Sequence, residues 1–407
     1  MNVLWGIMGI VILLAFAFLL STNKKAINWR TVLTALALQI AFAFIVLWTD
    51  VGSYVLEQVT RGVQAAIDTS GAGINMVFGG IFEVEGVGMI FAFQVLPVII
   101  FFSAVISILY HYGIMQFIVK YLGGGISRLL KTSRAESVSA TGNIFVGQTE
   151  APLMIKPYLG KMTASELFAV MTGGMATVAG SVMAGISLMG VPLEYLIAAT
   201  FMSAPGGLLM AKMIVPETEI SETKDGINLK VERESRNFID AASNGALDGL
   251  KLALNVGAML IAFVSLIALV NLLLSFVGND ILGLGVVTLE QILGYAFAPI
   301  AWVIGVPWAE ALEAGSFIGQ KTIINEFIGF EALMSGADQL SERTFIITAF
   351  ALCGFANLSS IAILLGGLGG MIPERRSLIA KYGVKALIAA TLVNLMNATI
   401  AGMLIGG

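Results

Sequence analysis

Two carboxylates stand out by where they fall in the chain. Glu150 lies within Thr141–Leu159 and Glu326 within Gly315–Phe330, both otherwise largely apolar stretches. A charged side chain at the centre of a hydrocarbon layer costs about 2.5–3.5 kcal/mol even on the mildest scale. Such a residue persists where it pairs, binds a ligand or moves protons. The plainer reading is a structural ion pair, Glu150 with Lys156 and Glu326 with Lys321.

The neighbours of these acids favour a ligand. Gly147-Gln-Thr-Glu-Ala-Pro152 sets an amide, a hydroxyl and a carboxylate in succession, and Pro152 then stops regular helix. The Gln148 amide offers both a donor and an acceptor, which suits the edge of a polar heterocycle such as a nucleobase. Asn325-Glu326 and Asn357 add amide and carboxylate groups that suit paired hydroxyls, as on a ribose. No buried Arg awaits an anion, so the expected ligand is small, polar and uncharged.

Asn143 and Thr177 form a second set, each placed where helix continuity is in doubt. Hard cations such as sodium are held by oxygens, including carbonyls freed where helices break. The competing role for Thr177 is a hydrogen bond back to its own helix.

These residues need a scaffold that hides them from lipid. Hydrophobic residues make up 57% of the 407 and charged residues only 12%. Soluble domains run at about 45–50% and about 25%, so a bilayer, not water, is the expected solvent. The net charge of −4 gives no basic surface for nucleic acid. With one cysteine, Cys353, no internal disulfide forms, and with one histidine, His111, His-based metal sites and catalytic triads are nearly excluded.

Eight runs are long and apolar enough to span: Met1–Thr22, Thr31–Trp48, Val87–Tyr110, Leu167–Leu193, Tyr195–Ala211, Leu252–Gly278, Phe345–Pro373 and Ala386–Gly407. Met1–Thr22 is uncharged and is followed by Lys24 and Lys25, the reverse of a cleaved signal, so it reads as a retained helix with its start outside. The positive-inside rule then places nearly every Lys and Arg on one side; only Arg61, Lys321 and Arg343 fall elsewhere. That count makes Gln291–Trp308 an interfacial helix, with Trp302 and Trp308 near the headgroups. Val215–Asn244 reads as a solvated cytoplasmic loop leading into an amphipathic helix. Asp50–Gly86 reads as an interfacial or external helix with a Gly-rich connection through Gly79, Gly80 and Gly86.

The two broken stretches, Thr141–Leu159 and Gly315–Phe330, read as re-entrant hairpins, since irregular backbone at membrane depth survives only inside protein or beside a cavity. Each precedes a span rich in small and polar residues, Gly173–Ser181 in one half and Cys353–Ile361 in the other. The lysine count puts the first hairpin at the cytoplasmic side and the second outside, an inverted repeat of the kind transporters build their sites from.

The eleven residues Gly142-Asn-Ile-Phe-Val-Gly-Gln-Thr-Glu-Ala-Pro152 resemble the first-hairpin signature of the concentrative nucleoside transporters. Asn325-Glu-Phe327 and Gly354-Phe-Ala-Asn-Leu-Ser-Ser-Ile361 resemble its later signatures. The likeness covers nearly the whole chain, in register with the spans above, and is similar to bacterial eight-span members. It implies an all-α polytopic protein with eight transmembrane helices, two opposed re-entrant hairpins and interfacial helices. It implies a sodium-coupled nucleoside symporter of the elevator type, not an enzyme, with a nucleoside such as uridine as substrate and Na+ as the co-transported ion. It further implies a homotrimer in a bacterial inner membrane, with both termini periplasmic.

Carried onto this sequence, the resemblance gives Gln148, Thr149 and Glu150 to the base and packs Val182 against it. Glu326 and Asn357 take the ribose hydroxyls, and Phe355 and Ser360 complete the pocket. Asn143, Thr177 and the carbonyls of Val146 and Val178 take sodium; Thr177 stands where Ser is frequent in the family and keeps the hydroxyl. The chain then divides into 1–119 (scaffold), 120–215 (first transport unit), 216–308 (loop, scaffold span and interfacial helix) and 309–407 (second transport unit). Three other readings share these residues. One is proton coupling through Glu150 or Glu326. Another is a passive channel. The third is an intramembrane enzyme with the two acids as an acid/base pair, for which no nucleophile–base arrangement, metal set or cofactor loop is present.

Overall fold

Apolar runs punctuated by Asn, Ser, Thr and Pro fold as helices, with no strand among the described residues. The structure is a computed structural model and describes residues 2–82, 90–224, 235–276, 279 and 287–405. In chain order the helices are α1 (Asn2–Leu19), α2 (Trp29–Trp48), α3 (Asp50–Phe82), α4 (Phe91–Gln94), α5 (Leu96–His111) and α6 (Ile114–Leu130). There follow α7 (Arg134–Gly142), α8 (Lys156–Leu159), α9 (Ala164–Ala176), α10 (Gly180–Leu188), α11 (Leu193–Ile214) and α12 (Phe238–Ser275). The last are α13 (Leu289–Val303), α14 (Trp308–Ile323), α15 (Glu326–Ser335), α16 (Glu342–Leu352), α17 (Leu358–Met371) and α18 (Arg376–Leu404).

Among the described residues, seven helical stretches are long and apolar enough to cross a membrane, or eight if α13 and α14, whose axes turn by 116°, count as one broken span. The chain is a multi-pass membrane protein. Its helices sort into two layers. The hydrophobic windows of α9–α10 and of α11 are 94% buried, whereas that of α12 is 6% buried and those of α1 and α2 are 28% buried. The first set is enclosed by protein, and the second turns most of its apolar surface outward, as lipid-facing helices must. α18 crosses the centre and packs on α16, α11, α9, α1 and α17. Gln39 ties α2 to it, donating from Nε2 to Asn397 Oδ1 at 2.6 Å with no exposure to solvent.

Helix ends follow their caps. Ser133 and Glu136 form a reciprocal capping box at the start of α7, and Thr163 and Glu166 form another at the start of α9. α5 and α12 approach closely at Gly245 and Gly249, where a Cβ would meet the Ser103 carbonyl at 2.6 Å and Ile100 Cα at 2.7 Å.

Several expectations need correction. Gly79 and Gly80 lie inside α3, because a long regular helix tolerates glycine where nothing demands a turn; Gly86 lies outside the described residues. Between Val87–Tyr110 and Thr141–Leu159, where the sequence reading names no element, the chain forms α6. Its buried Met115, Val119, Gly123, Ser127 and Leu130 form one face at helical spacing, set against α7. The Leu167–Leu193 span is two helices that part at Thr177–Ala179, and the Phe345–Pro373 span is two that part at Cys353–Asn357. The stretch around Gln291–Trp308 is α13 alone; Trp308 begins α14 instead, and the Gly315–Phe330 stretch covers the end of α14 and the start of α15. Of the polar loop, residues 225–234 lie outside the described residues, and the helix after it begins at Phe238.

Candidate functional site

Four short breaks in helix meet at the centre of the molecule. The first turns after α7, where Asn143 is the C-cap and residues 144–150 lead into a 3-10 turn at Ala151–Ile155. The second parts α9 from α10, the third parts α14 from α15 at Ile324–Asn325, and the fourth parts α16 from α17. Breaks two and four touch: the Phe355 amide donates to the Thr177 carbonyl at 3.2 Å. Breaks one and two touch as well, through Gly180 N–H donating to the Phe145 carbonyl at 3.1 Å.

Three of these breaks turn polar groups toward a cavity of about 1350 Å³. Its wall includes all eight residues expected to contact substrate: Gln148, Thr149, Glu150, Val182, Glu326, Phe355, Asn357 and Ser360. Gln148 donates from Nε2 to Ser360 Oγ at 3.3 Å, linking the first turn to α17. Its Oε1 is buried and without a partner among the described residues. Thr149 reaches the Glu150 carboxylate at 3.4 Å, and that carboxylate folds back over Gly147. Opposite, Asn325 caps α15 by accepting from Ile328 N–H at 3.0 Å, which sets Glu326 in the first turn. Asn357 caps α17 by accepting from Ser360 N–H at 3.0 Å and donates from Nδ2 to Glu326 at 3.1 Å.

The structural ion pairs do not form. Among the described residues, no Lys or Arg nitrogen lies within 4.0 Å of Glu150 or Glu326. Lys321 turns instead to Asn394, donating at 2.8 Å.

Of the four residues expected at the cation, Val146 lines the cavity, while Asn143, Thr177 and Val178 lie behind it, each no more than 1% exposed. The Asn143 amide packs against Gly173 on α9, 3.4 Å from where a Cβ would stand. Thr177 donates to the Gly173 carbonyl at 3.1 Å, the back-bond to its own helix. Asn143 Oδ1 and Nδ2 are buried and unpartnered among the described residues. A buried amide oxygen with nothing to accept costs about 1–3 kcal/mol, which leaves Asn143 able to take a further partner. An all-oxygen set of one amide, one hydroxyl and carbonyls fits a hard monovalent cation.

Sequence reasoning missed part of the wall and the centre. Ser103, Ser107 and Tyr110 on α5, and Asp248, Lys251 and Asn255 on α12, also line the cavity. Polar residues three and four apart in apolar runs were their signal. Asn394 was also missed: its Nδ2 donates to the Ala176 carbonyl at 2.8 Å and to the Cys353 carbonyl at 2.9 Å, sealing the ends of α9 and α16. Gly354 makes room for it, since a Cβ there would stand 2.6 Å from Asn394 Nδ2.

A second buried cluster anchors the base. Lys212 on α11 pairs with Glu136 at 2.7 Å and with Glu217 at 3.3 Å, and donates to Ser165 at 3.0 Å. Glu166 accepts from Ser221 at 2.5 Å and from Thr223 at 2.7 Å. The capping acids of α7 and α9 thereby hold α7, α9, α11 and the loop after it together.

Broken helices around a polar cavity, inside a multi-pass bundle, define a membrane transporter rather than an enzyme. Comparison with known proteins gives the same class. Residues 8–81 and 195–402 match the families described as the N-terminus and C-terminus of the Na+ dependent nucleoside transporter, and residues 92–193 match one described as nucleoside recognition. The nucleoside permease NupC of Helicobacter pylori is 46% identical over 99% of this chain and 98% of its own. Sodium/nucleoside cotransporter 2 of Mus musculus is 40% identical over 97% of this chain and 62% of its own. The solved structure of CNTnw in an inward-facing substrate-bound state is 50% identical and covers 99% of this chain and 98% of that one, with a TM-score of 0.94. The chain belongs to the concentrative nucleoside transporter family.

Proposed function

We propose that the protein imports nucleosides by symport with sodium. The observation that carries this is the convergence on one cavity of the unpartnered Gln148 Oε1 with Glu326, Asn357 and Ser360, directly beside the unpartnered Asn143. A heterocycle edge pairs with Gln148, through Thr149 and Glu150 as neighbours and with Val182 and Phe355 as apolar walls. Ribose hydroxyls donate to Glu326 and accept from Asn357. Uncharged substrate suits a wall that offers no buried Arg.

Sodium binds between Asn143, the Val146 and Val178 carbonyls and Thr177. Val146 and Gln148 share one turn, so an ion there fixes the backbone that presents Gln148. Ion and substrate then help each other reciprocally, through differential affinity for one conformation. The name of the mouse relative, a sodium/nucleoside cotransporter, supports this choice of ion.

The working arrangement is a homotrimer in a bacterial inner membrane with both termini periplasmic. The units 120–215 and 309–407 carry substrate as an elevator against the scaffold of 1–119 and 216–308, with the α7–α8 and α14–α15 hairpins entering from opposite sides. The anchored base at Lys212 supports rigid movement of the first unit. The cavity extends to Lys156, Lys251 and Glu374, at the lysine-bearing end, which the positive-inside rule makes cytoplasmic.

The test is radiolabelled uridine uptake into proteoliposomes with an imposed sodium gradient and with sodium replaced by an inert cation. Accumulation only with sodium supports the reading and excludes a passive channel. Sodium-independent uptake that rises at acidic pH reassigns coupling to a carboxylate. Recovery of altered substrate overturns transport as the function.

A further inference from the structure

Two stretches of the chain carry cations without acids. There is no Asp or Glu from Met1 to Thr49, nor from Gly86 to Ala135. Exposed within them are Lys24, Lys25, Arg30, Lys120, Arg128 and Lys131. Among the described residues, none of these six comes within 4.0 Å of a carboxylate oxygen.

The fold brings the two stretches together at the membrane surface. Thr31 Oγ1 donates to the Leu130 carbonyl at 3.0 Å, joining positions 99 apart in sequence. That bond ties the start of α2, which bears Arg30, to the end of α6, which bears Arg128 and leads into Lys131. Trp29, 48% exposed, stacks on Phe18 with ring centroids 6.1 Å apart, and Lys24 Nζ stands 5.3 Å from the Phe18 ring. α1 and α2 are both long and apolar enough to span, so the turn between them lies at headgroup level, where Trp is at home. α6 is not among those spans. Phe117, Lys120, Tyr121 and Arg128 form an exposed face at helical spacing, opposite the one set against α7, with the Phe117 and Tyr121 rings 4.5 Å apart. Aromatic and basic residues on the free face of a helix that does not span describe a helix lying in the interface.

Lys131 adds a second observation. As C-cap of α6 it holds φ +57°, the only non-glycine in the left-handed region among the described residues. Glycine is the usual residue there, because an L side chain crowds the neighbouring carbonyl. The turn alone does not explain a lysine; its ammonium does.

We propose that Arg30, Arg128 and Lys131, flanked by Lys24 and Trp29, bind the phosphate of an anionic glycerophospholipid, whose acyl chains lie along the exposed Leu33 and Leu129. Basic clusters beside a membrane helix and on an amphipathic helix recognise such headgroups. The apolar and aromatic neighbours select a lipid over a soluble anion. The bound lipid fastens α6 to α2, and α6 in turn packs on α7 at the start of the first hairpin.

The test follows the thermal midpoint of the purified full chain in dodecyl maltoside against dioleoylphosphatidylglycerol. Dioleoylphosphatidylcholine is the neutral lipid and inorganic phosphate the soluble anion, and native mass spectrometry counts retained lipid. Saturable stabilisation and retention are expected with phosphatidylglycerol alone. Arg30→Gln, Arg128→Gln and Lys131→Gln are each expected to weaken half-saturation about fivefold, and the triple variant to abolish it. Lys131→Gly relieves the crowded backbone, so its midpoint in phosphatidylcholine equals or exceeds that of the wild type while its phosphatidylglycerol response weakens about fivefold. A control triple, Lys161→Gln with Lys224→Gln and Lys381→Gln, removes as much charge from exposed positions elsewhere and keeps the response. A response that survives the site triple, or falls equally in the control triple, overturns the proposal. An equal response to inorganic phosphate does the same. So does a Lys131→Gly response equal to that of the wild type, a readout that stands even where the triple variant fails to fold.

Discussion

Asn357 donates its side-chain amide to the Glu326 carboxylate across 3.1 Å, and each residue stands where a helix begins. Asn357 is the N-cap of α17 and Glu326 is the first residue of α15. Helix starts favour negative charge. A buried acid is therefore held between two helix starts and one amide, with no Lys or Arg nitrogen within 4.0 Å among the described residues. Its other oxygen, Oε1, is left without a side-chain hydrogen bond among them.

Glu326→Gln keeps the shape and an acceptor for Asn357 but removes the charge. Hydrogen bonds to a charged group contribute about 1.5–3 kcal/mol, so nucleoside affinity falls about 10- to 100-fold by calorimetry. Unchanged affinity would remove Glu326 from the site.

Asn143→Ala deletes the unpartnered amide beside Gly173. Half-maximal uptake then needs about tenfold more sodium, within the usual range of coupling between sites. Uridine affinity at saturating sodium stays near that of the wild type. A variant with an unaltered sodium curve would move the ion elsewhere.

Gly354→Ala sets a methyl against the Asn394 amide. Overpacking of this kind costs about 1–3 kcal/mol, and displacing Asn394 orphans two carbonyls besides. The purified protein is expected to unfold several degrees below wild type in a thermal ramp. Wild-type stability would show that Asn394 is not needed to seal α9 and α16.

Lys212→Met leaves Glu136, 1% exposed, without its counter-charge. Breaking a buried pair from one side costs about 3–5 kcal/mol. Adding Glu136→Gln to Lys212→Met recovers much of the lost thermal midpoint. A double variant no better than the single one would assign the cost to lost packing of the lysine stem.

Apolar run length was enough to find nearly every membrane helix, because hydrocarbon thickness sets length directly. The two acids were legible because charge is costly in such runs. Breaks within spans were less so: Gly173–Ser181 and Cys353–Ile361 are apolar on average, and only the folded structure shows that Phe355 must reach Thr177. Asn394 was invisible for a different reason. A single amide in an apolar helix looks the same whether it packs idly or seals two distant carbonyls. Lys321, five positions before Glu326, was legible only as the partner in the plainer ion-pair reading; its hydrogen bond to Asn394, 73 positions away, needed the fold.

The late position of α18 has a consequence for biogenesis. Asn394 seals Ala176 and Cys353, and Asn397 joins Gln39 to the Ala199 carbonyl at 3.2 Å. All four of those partners are synthesised earlier. Until the ribosome has delivered α18, the interior holds exposed backbone oxygens that no lipid can satisfy. Nascent chains that stall before Asn394 are thus marked as incomplete by their own chemistry, and membrane proteases have a physical basis for recognising them.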